Sequence, residues 1–169
     1  KTKFSNGVIL KDFLRNKVAI LTSTFIVKKS VIVDNNIYFT PGCNWAEDLE
    51  FFAKVCALTK VCSVNEYLCN YRSDSTNSLT SQFSNGLKSL EVWDRFLDWI
   101  DSNRHILFEE DLNGVYSLVK GFRMPQVLIN AIYEGYLKKG IYIYNVDELE
   151  AIVRTSHARI INNVNFSNG

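Results

Sequence analysis

The spacing of apolar residues changes near residue 85, and the two parts of the chain predict different secondary structure. In the first part, residues 18–27 (VAILTSTFIV) are mostly β-branched or aromatic, which favours a largely buried strand. Two shorter runs of similar character, 60–64 and 67–72, predict two further strands. Residues 1–85 are therefore predicted to contain both strands and helices.

A helix is predicted from Asp48 onward, because apolar residues recur there at helical spacing. The residues of this apolar stripe are Leu49, Phe52, Ala53 and Cys56. Glu50 and Lys54 stand four residues apart, which predicts a favourable ion pair on the opposite face of the helix.

The segments on either side of this helix are shorter or irregular. Upstream, the pattern predicts a short helix over 28–35, an extended piece at 37–39 and a turn at Pro41-Gly42. Downstream, residues 73–85 are rich in Ser, Thr and Asn, whose side chains compete with regular secondary structure for backbone hydrogen bonds. That segment is predicted to be a loop or linker.

Residues 86–169 have the apolar spacing of an all-helical region. The predicted helices cover 90–100, 112–122, 126–138 and 145–160. The second of them is expected to stop before Pro125, because proline cannot donate a helical hydrogen bond. The predicted fold class is therefore α+β but mostly α, with a division near residue 85.

Composition narrows the function classes. The chain has 19 Lys and Arg residues against 18 Asp and Glu, scattered along its length, so nucleic acid is not expected as a partner. No apolar run reaches transmembrane length, and the N-terminal residues do not form a signal peptide, so a cytoplasmic protein is expected. The first residue is Lys1 rather than methionine, which leaves open whether the chain is part of a longer protein.

The cysteines and histidines predict no metal site. The four cysteines stand 13, 6 and 7 residues apart, which matches no zinc spacing. They are expected to be reduced, with Cys56, Cys62 and Cys69 buried as small apolar residues. His105 and His157 have no partner at a suitable spacing and are expected to be ordinary surface or loop residues.

Residues 44–52 (NWAEDLEFF) carry the candidate chemistry, since a tryptophan and three carboxylates stand at the start of the predicted helix. Asp48 either caps the helix, with Glu47 and Glu50 complementing its dipole, or acts as a general base toward a hydroxyl group. Trp45 either covers the core or offers a flat apolar face to a sugar ring. The residue types leave both interpretations open.

The order of these elements resembles the C-terminal part of bacterial family 2 glycosyltransferases with the GT-A fold. The resemblance covers residues 22–80, and the matching residues are Phe39, Glu47, Asp48, Leu49, Glu50, Phe51, Tyr71, Arg72, Ser78 and Thr80. It implies an inverting enzyme that moves a sugar from a nucleotide-sugar donor to a glycan or lipid-linked acceptor. Such enzymes serve the synthesis of capsule, lipopolysaccharide and other cell-surface polysaccharides.

The resemblance also implies roles for individual residues. Asp48 corresponds to the catalytic base, and Glu47 lies beside it in the acceptor site, where Trp45 is the candidate for contact with a sugar. Tyr71 and Arg72 correspond to the donor-binding region, so Arg72 is a candidate for contact with the diphosphate. A surface ion pair is an equally weighted alternative for Arg72.

Some parts that the resemblance implies have no counterpart in this sequence. The donor-binding half of such enzymes ends in an Asp-x-Asp motif that holds Mn²⁺ or Mg²⁺, and no such half is present, so these 169 residues alone are expected to be inactive and to bind no metal. Residues 1–85 then form the acceptor side with 73–85 as an active-site lid or a connection, and 86–169 form a helical extension.

Three points stay open at this level. The helical extension is expected to pack on the catalytic part, while homo-oligomerisation and peripheral association with the inner face of the cytoplasmic membrane are alternatives. The rival function is a non-enzymatic helical interaction module, in which the acidic residues only begin a helix.

Overall fold

A computed structural model describes residues 6–64, 66, 68–70, 88–108 and 111–130. The helices are α1 (Leu10–Leu14), α2 (Lys29–Val33), α3 (Glu47–Leu58), α4 (Lys88–Ser102) and α5 (Leu112–Leu118). Short 3₁₀ turns cover Thr22–Thr24 and Arg104–Ile106, and a π-helical turn covers Val119–Arg123. The described part of the chain is thus mostly helical, as predicted. Within it, no helix has both the length and the apolar character needed to cross a membrane.

The core forms where α3 packs against α4 and α1, with α5 packed against α1. The largest side chains that it buries completely include Phe13, Phe52, Trp93 and Phe96. Burial of each such side chain stabilises the fold by roughly 1.5–3 kcal/mol. These residues belong to one continuous cluster, so side chains from before and after residue 85 share a single core.

The helices predicted around 28–35, from residue 48 onward and over 90–100 are confirmed as α2, α3 and α4. In α3 the predicted apolar stripe faces the core, since Phe52, Ala53 and Cys56 are fully buried. The spacing of the apolar residues was sufficient to predict these three helices, because one face of each helix packs against the core.

The strand predicted at 18–27 is wrong. Its backbone is partly extended, with Phe25 at φ −105° and ψ 126°, but the described residues form no sheet there. The side chains that pack against the core are Val18, Ile20, Phe25 and Val27. Between them, Ile26 is 97% exposed. The apolar run therefore places side chains against the core, but a strand also requires a hydrogen-bonded neighbour, which the run does not specify.

The strands predicted at 60–64 and 67–72 are likewise not seen among the described residues. The backbone pairing at this point is an isolated antiparallel bridge, in which the Gly7 and Val61 amides each donate to the other residue's carbonyl at 2.7 and 2.8 Å. The β component of the predicted fold class is thus absent from the described ranges, while its mostly α character is confirmed.

The helix predicted over 112–122 does not stop before Pro125. α5 passes into the π-helical turn, in which the Met124 amide donates to the Val119 carbonyl, and helical backbone continues over 124–130. Pro125 has no amide hydrogen for the Gly121 carbonyl, and a turn with a different hydrogen-bond spacing precedes it. The prediction failed because it treated proline as a helix end rather than as a local change of helical geometry.

The π-helical turn also directs Arg123 into the core. Its guanidinium donates to the Phe13 carbonyl and to the Asn16 side chain at the end of α1, and lies 5.0 Å from the centre of the Trp93 ring. Burial lowers the pKa of Arg123 to about 10. Within the described residues Arg123 contacts no carboxylate, and it joins α1 to α4 through carbonyl, amide and aromatic groups.

The cysteines differ in burial more than the sequence predicted. All four are free thiols. Cys56 is buried, as predicted, and burial raises its pKa to about 12. Cys62 and Cys69 are exposed, which contradicts the prediction, because the described residues form no sheet that would cover them. Cys43 is half-buried.

Candidate functional site

A cleft of about 280 Å³ lies between residues 40–45, here called the cleft loop, and the first half of α4. Its lining residues are Thr40, Pro41, Gly42, Cys43, Asn44 and Trp45 from the loop, and Glu91 and Arg95 from α4. This volume is close to the lower end of the range for small-molecule pockets. A tryptophan, an arginine and a glutamate are thus among the residues that line one small space.

The conformation of the cleft loop follows from two left-handed residues. The predicted turn is present: the Cys43 amide donates to the Thr40 carbonyl at 3.1 Å, and Gly42 has a φ of +76°, which glycine adopts without strain. At the other end, Ala46 has a φ of +58°, and its carbonyl accepts from the Glu50 amide as α3 begins. This sharp change of direction separates the loop from the first turn of the helix.

Beneath the cleft lies a buried charge cluster of Glu50, Lys54 and Arg95, here called the Glu50 cluster. Glu50 is only 2% exposed. Lys54 Nζ lies 2.6 Å from Glu50 Oε1, and Arg95 Nε donates to Glu50 Oε2 at 2.9 Å. Burial alone would raise the pKa of Glu50, but hydrogen bonds from Lys54 and then Arg95 outweigh it, so the pKa is below its ordinary value. Glu50 is therefore an ionised carboxylate in the folded protein.

The Glu50 cluster is hydrogen-bonded to the cleft loop at two points. The Thr40 hydroxyl donates to Glu50 Oε1 at 3.0 Å. Arg95 Nη2 donates to Cys43 Sγ at 3.1 Å, and the Cys43 thiol in turn donates to the Trp45 carbonyl at 3.4 Å. The loop that carries Trp45 is thus connected to both α3 and α4 through polar side chains.

The three predicted acceptor-side residues are near neighbours in the sequence, but they differ in their position relative to the cleft. Trp45 lines the cleft. Glu47 and Asp48 form the first turn of α3, are partly exposed, and are not among the lining residues. Asp48 does not cap α3: its Oδ1 accepts from the amide of its neighbour Leu49 at 2.8 Å, and the residue before the helix is Ala46. The candidates Tyr71 and Arg72, and the lid predicted at 73–85, lie outside the described residues.

Sequence reasoning missed the two residues that organise the cleft. Glu50 was predicted to pair with Lys54 on the outer face of the helix; the pair exists, but it is buried. Arg95 was not singled out at all, and it reaches Glu50 across 45 residues of sequence. The only local signal for a role of Arg95 was its separation of four residues from Glu91, which predicts an ion pair between these two residues. That pair is 3.9 Å long and is not the contact between Arg95 and Glu50.

The described residues do not provide a metal site. Within these ranges, no group of three or more His, Cys, Asp or Glu side chains is arranged to hold a metal ion, and His105 is exposed in the 3₁₀ turn after α4. The residues that line the cleft and carry aromatic or charged side chains are Trp45, Glu91 and Arg95, while the partly exposed Glu47 and Asp48 begin α3 directly after the cleft loop. Comparisons of the chain with protein-family models, curated proteins and solved structures found no match.

Proposed function

We propose that this chain forms the acceptor-side part of a cytoplasmic, inverting, nucleotide-sugar-dependent glycosyltransferase of cell-surface polysaccharide synthesis. The observation that carries the proposal is the position of the Glu47-Asp48 pair: it opens α3 immediately after a cleft loop that ends in Trp45. The finer assignment to the GT-A fold rests on the ordered sequence motif between residues 22 and 80.

In this proposal Asp48 is the general base. Its Oδ1 accepts from the Leu49 amide, and the structure gives its Oδ2 no hydrogen-bond partner among the described residues. An acceptor hydroxyl attacks the anomeric carbon of the donor sugar, Asp48 takes the proton of that hydroxyl, and the bond between the sugar and the nucleotide diphosphate breaks. The new glycosidic bond has inverted configuration, and the nucleotide leaves with the electron pair of the broken bond.

Trp45 and Glu47 have supporting roles in the same scheme. The Trp45 ring on the cleft wall packs against the apolar face of the acceptor sugar, whose remaining hydroxyl groups bind polar groups of the cleft. Glu47 accepts a hydrogen bond from a second hydroxyl of the acceptor. The donor nucleotide and its metal ion bind to residues outside the described ranges, so the described residues by themselves are proposed to be inactive.

The test is an Asp48→Asn variant of the protein expressed from its complete reading frame. Wild-type protein is incubated with a panel of nucleotide sugars, Mn²⁺ or Mg²⁺ and glycan or lipid-linked acceptors, and the transferred sugar is measured. We expect transfer by the wild type, loss of about 10²–10⁴-fold in kcat for Asp48→Asn, and an unchanged fold. The matched control is Asp94→Asn, which makes the same chemical change at an exposed position on α4. Retained turnover in Asp48→Asn would remove Asp48 from its role.

A helical interaction module is the second candidate, and one observation favours it. Several apolar side chains of the described residues are strongly exposed, among them Ile26 at 97%, Leu68 at 74% and Val64 at 63%. In this case Asp48→Asn changes no catalytic rate. Its effect on stability would also be small, because Asp48 bonds only its neighbour's amide and does not cap α3. Absence of sugar transfer by the wild type across the whole panel would favour this candidate.

A further inference from the structure

We infer that Arg95 is a positioning residue for the cleft loop, so that α4, in the helical part of the chain, completes the candidate acceptor site. This inference rests on the function proposed above. Arg95 lies in the middle of α4, and its side chain reaches both the buried Glu50 on α3 and the loop residue Cys43. Thr40, within the cleft loop itself, also bonds both Glu50 and Cys43, but among the described residues outside the loop Arg95 alone does so.

The loop is held from two sides that converge on one carboxylate. Glu50 Oε1 accepts from the Thr40 hydroxyl, at the start of the loop. Glu50 Oε2 accepts from Arg95, whose Nη2 also donates to Cys43 at 3.1 Å. Because Glu50 is almost completely buried, packing fixes the positions of its oxygens. The hydrogen bonds to these oxygens therefore restrict the movement of the loop.

Arginine is suited to this task in a way that lysine is not. Its planar guanidinium presents several N–H donors in fixed directions, so that one side chain bonds Glu50 through Nε and Cys43 through Nη2. Nη2 itself lies 2.9 Å from Glu50 Oε2 and 3.1 Å from Cys43 Sγ, while Nε makes a second bond to the carboxylate. A lysine has one nitrogen on a shorter side chain, so we expect it to lose at least one of these contacts. Lys54 Nζ lies 2.6 Å from Glu50 Oε1, so we expect the carboxylate to keep a counter-charge when Arg95 is replaced. Loss of Arg95 is therefore expected to release the loop rather than unfold α3.

The consequence for the site follows from the chain order. The Cys43 thiol donates to the Trp45 carbonyl, and three residues after Trp45 comes Asp48. A loop that shifts by about 1 Å moves the aromatic wall relative to the base, and such a displacement lowers the rate by up to about 10²-fold.

The first test uses the chain as it is and does not depend on catalysis. Hydrogen exchange is measured for the wild type, Arg95→Met, Arg95→Lys and the control Arg104→Met. Arg104 is exposed, lies just after α4 and pairs with Asp101 in the last turn of that helix. In both Arg95 variants we expect exchange in peptides covering 40–46 to rise by about tenfold, with peptides of 51–58 unchanged. The control is expected to match the wild type in both regions. Unchanged exchange at 40–46 in Arg95→Met would overturn the inference.

The second test measures sugar transfer by the same variants made in the complete reading frame. We expect kcat to fall by about 10- to 100-fold in Arg95→Met, without rescue by Arg95→Lys, while KM for the nucleotide sugar is unchanged. Transfer that is normal in Arg95→Met but lost in Asp48→Asn would overturn the positioning role and leave the proposed function standing. Transfer that is undiminished in Asp48→Asn would overturn the assigned base, and the exchange data would then still decide whether Arg95 holds the loop.

Discussion

Glu50 on α3 is buried and forms an ion pair with the partly exposed Arg95 on α4, with Arg95 Nε 2.9 Å from Glu50 Oε2. The pair joins the acidic helix to the helical part of the chain after residue 85. Around it, Lys54 supplies a second cation, and Thr40 and Cys43 connect the cleft loop. A single carboxylate thus contacts a side chain of α4 and a side chain of the cleft loop at the same time.

The first prediction concerns the stability that this carboxylate contributes. Glu50→Gln keeps the shape of the side chain but leaves Lys54 and Arg95 without their counter-charge. We expect the free energy of unfolding to fall by about 3 kcal/mol, at the lower end for a broken buried pair because the Arg95 side chain is 31% exposed. Urea denaturation measures this change. Glu91→Gln is the control: Glu91 is 70% exposed and 3.9 Å from Arg95, so a loss below about 1 kcal/mol is expected. Equal losses in the two variants would contradict the prediction.

The second prediction is the pH dependence of that contribution. In the folded protein the pKa of Glu50 is below its ordinary value, so in acid the unfolded chain binds a proton at a higher pH than the folded chain does. The stabilisation is therefore complete above the ordinary pKa of a glutamate and is lost as the pH falls through the lowered value. Unfolding free energies are measured from about pH 6 to about pH 3, and the difference between wild type and Glu50→Gln should shrink toward acid.

Comparing the wild type with Glu50→Gln separates the contribution of Glu50 to the pH dependence of stability from the contributions of other acidic residues. Lys11 lowers the pKa of Asp111, which also adds acid sensitivity, but it does so equally in both proteins. A difference that stays constant down to about pH 3 would contradict the lowered pKa of Glu50.

The third prediction concerns Gly114 in α5, where substitution by alanine should not give the stabilisation that it normally gives inside a helix. Asp111 caps this helix by accepting from the Gly114 amide at 2.9 Å, and a Cβ added at Gly114 would lie only 2.3 Å from Asp111 Oδ2. Gly→Ala inside a helix normally stabilises by roughly 0.5–1 kcal/mol. Here we expect no gain, or a loss of up to about 1 kcal/mol, because the cap and its 2.7 Å ion pair with Lys11 must move.

A double-mutant cycle separates the two effects. In an Asp111→Ala background there is no cap to displace, so Gly114→Ala should there stabilise by about 0.5–1 kcal/mol. Thermal or urea unfolding of the four proteins gives the coupling directly. An equal effect of Gly114→Ala in both backgrounds would show that the side chain of Asp111 is not in contact with this position.

The fourth prediction orders the cysteines by reactivity. Cys62 and Cys69 are exposed and should be alkylated first by iodoacetamide, followed by the half-buried Cys43. Cys56 should stay unmodified while the protein is folded, because it is fully buried and its pKa is raised to about 12. Mass spectrometry of peptides after timed alkylation measures the order, and the same reaction in denaturant provides the control. Rapid modification of Cys56 in the native protein would contradict the described core.

The helices were the most predictable part of this protein, and the strands the least. Apolar residues recur every three to four positions in α3, and a helix that packs one face against a core needs no other feature to produce this spacing. For residues 18–27 the β-branched and aromatic character predicted a largely buried strand, but none of these residues is fully buried. Whether a segment becomes a strand depends on a hydrogen-bonded partner elsewhere in the chain.

By itself, the sequence determined the positions of α2, α3 and α4, the turn before the cleft, and the carboxylates Glu47 and Asp48 at the start of a helix. These features depend on residues within one or two turns of each other. Only the tertiary structure decided that Glu50 is buried and that its partner across the core is Arg95, 45 residues away. Local spacing specifies which face of a helix a side chain occupies, whereas burial and long-range pairing depend on which other element packs against that face.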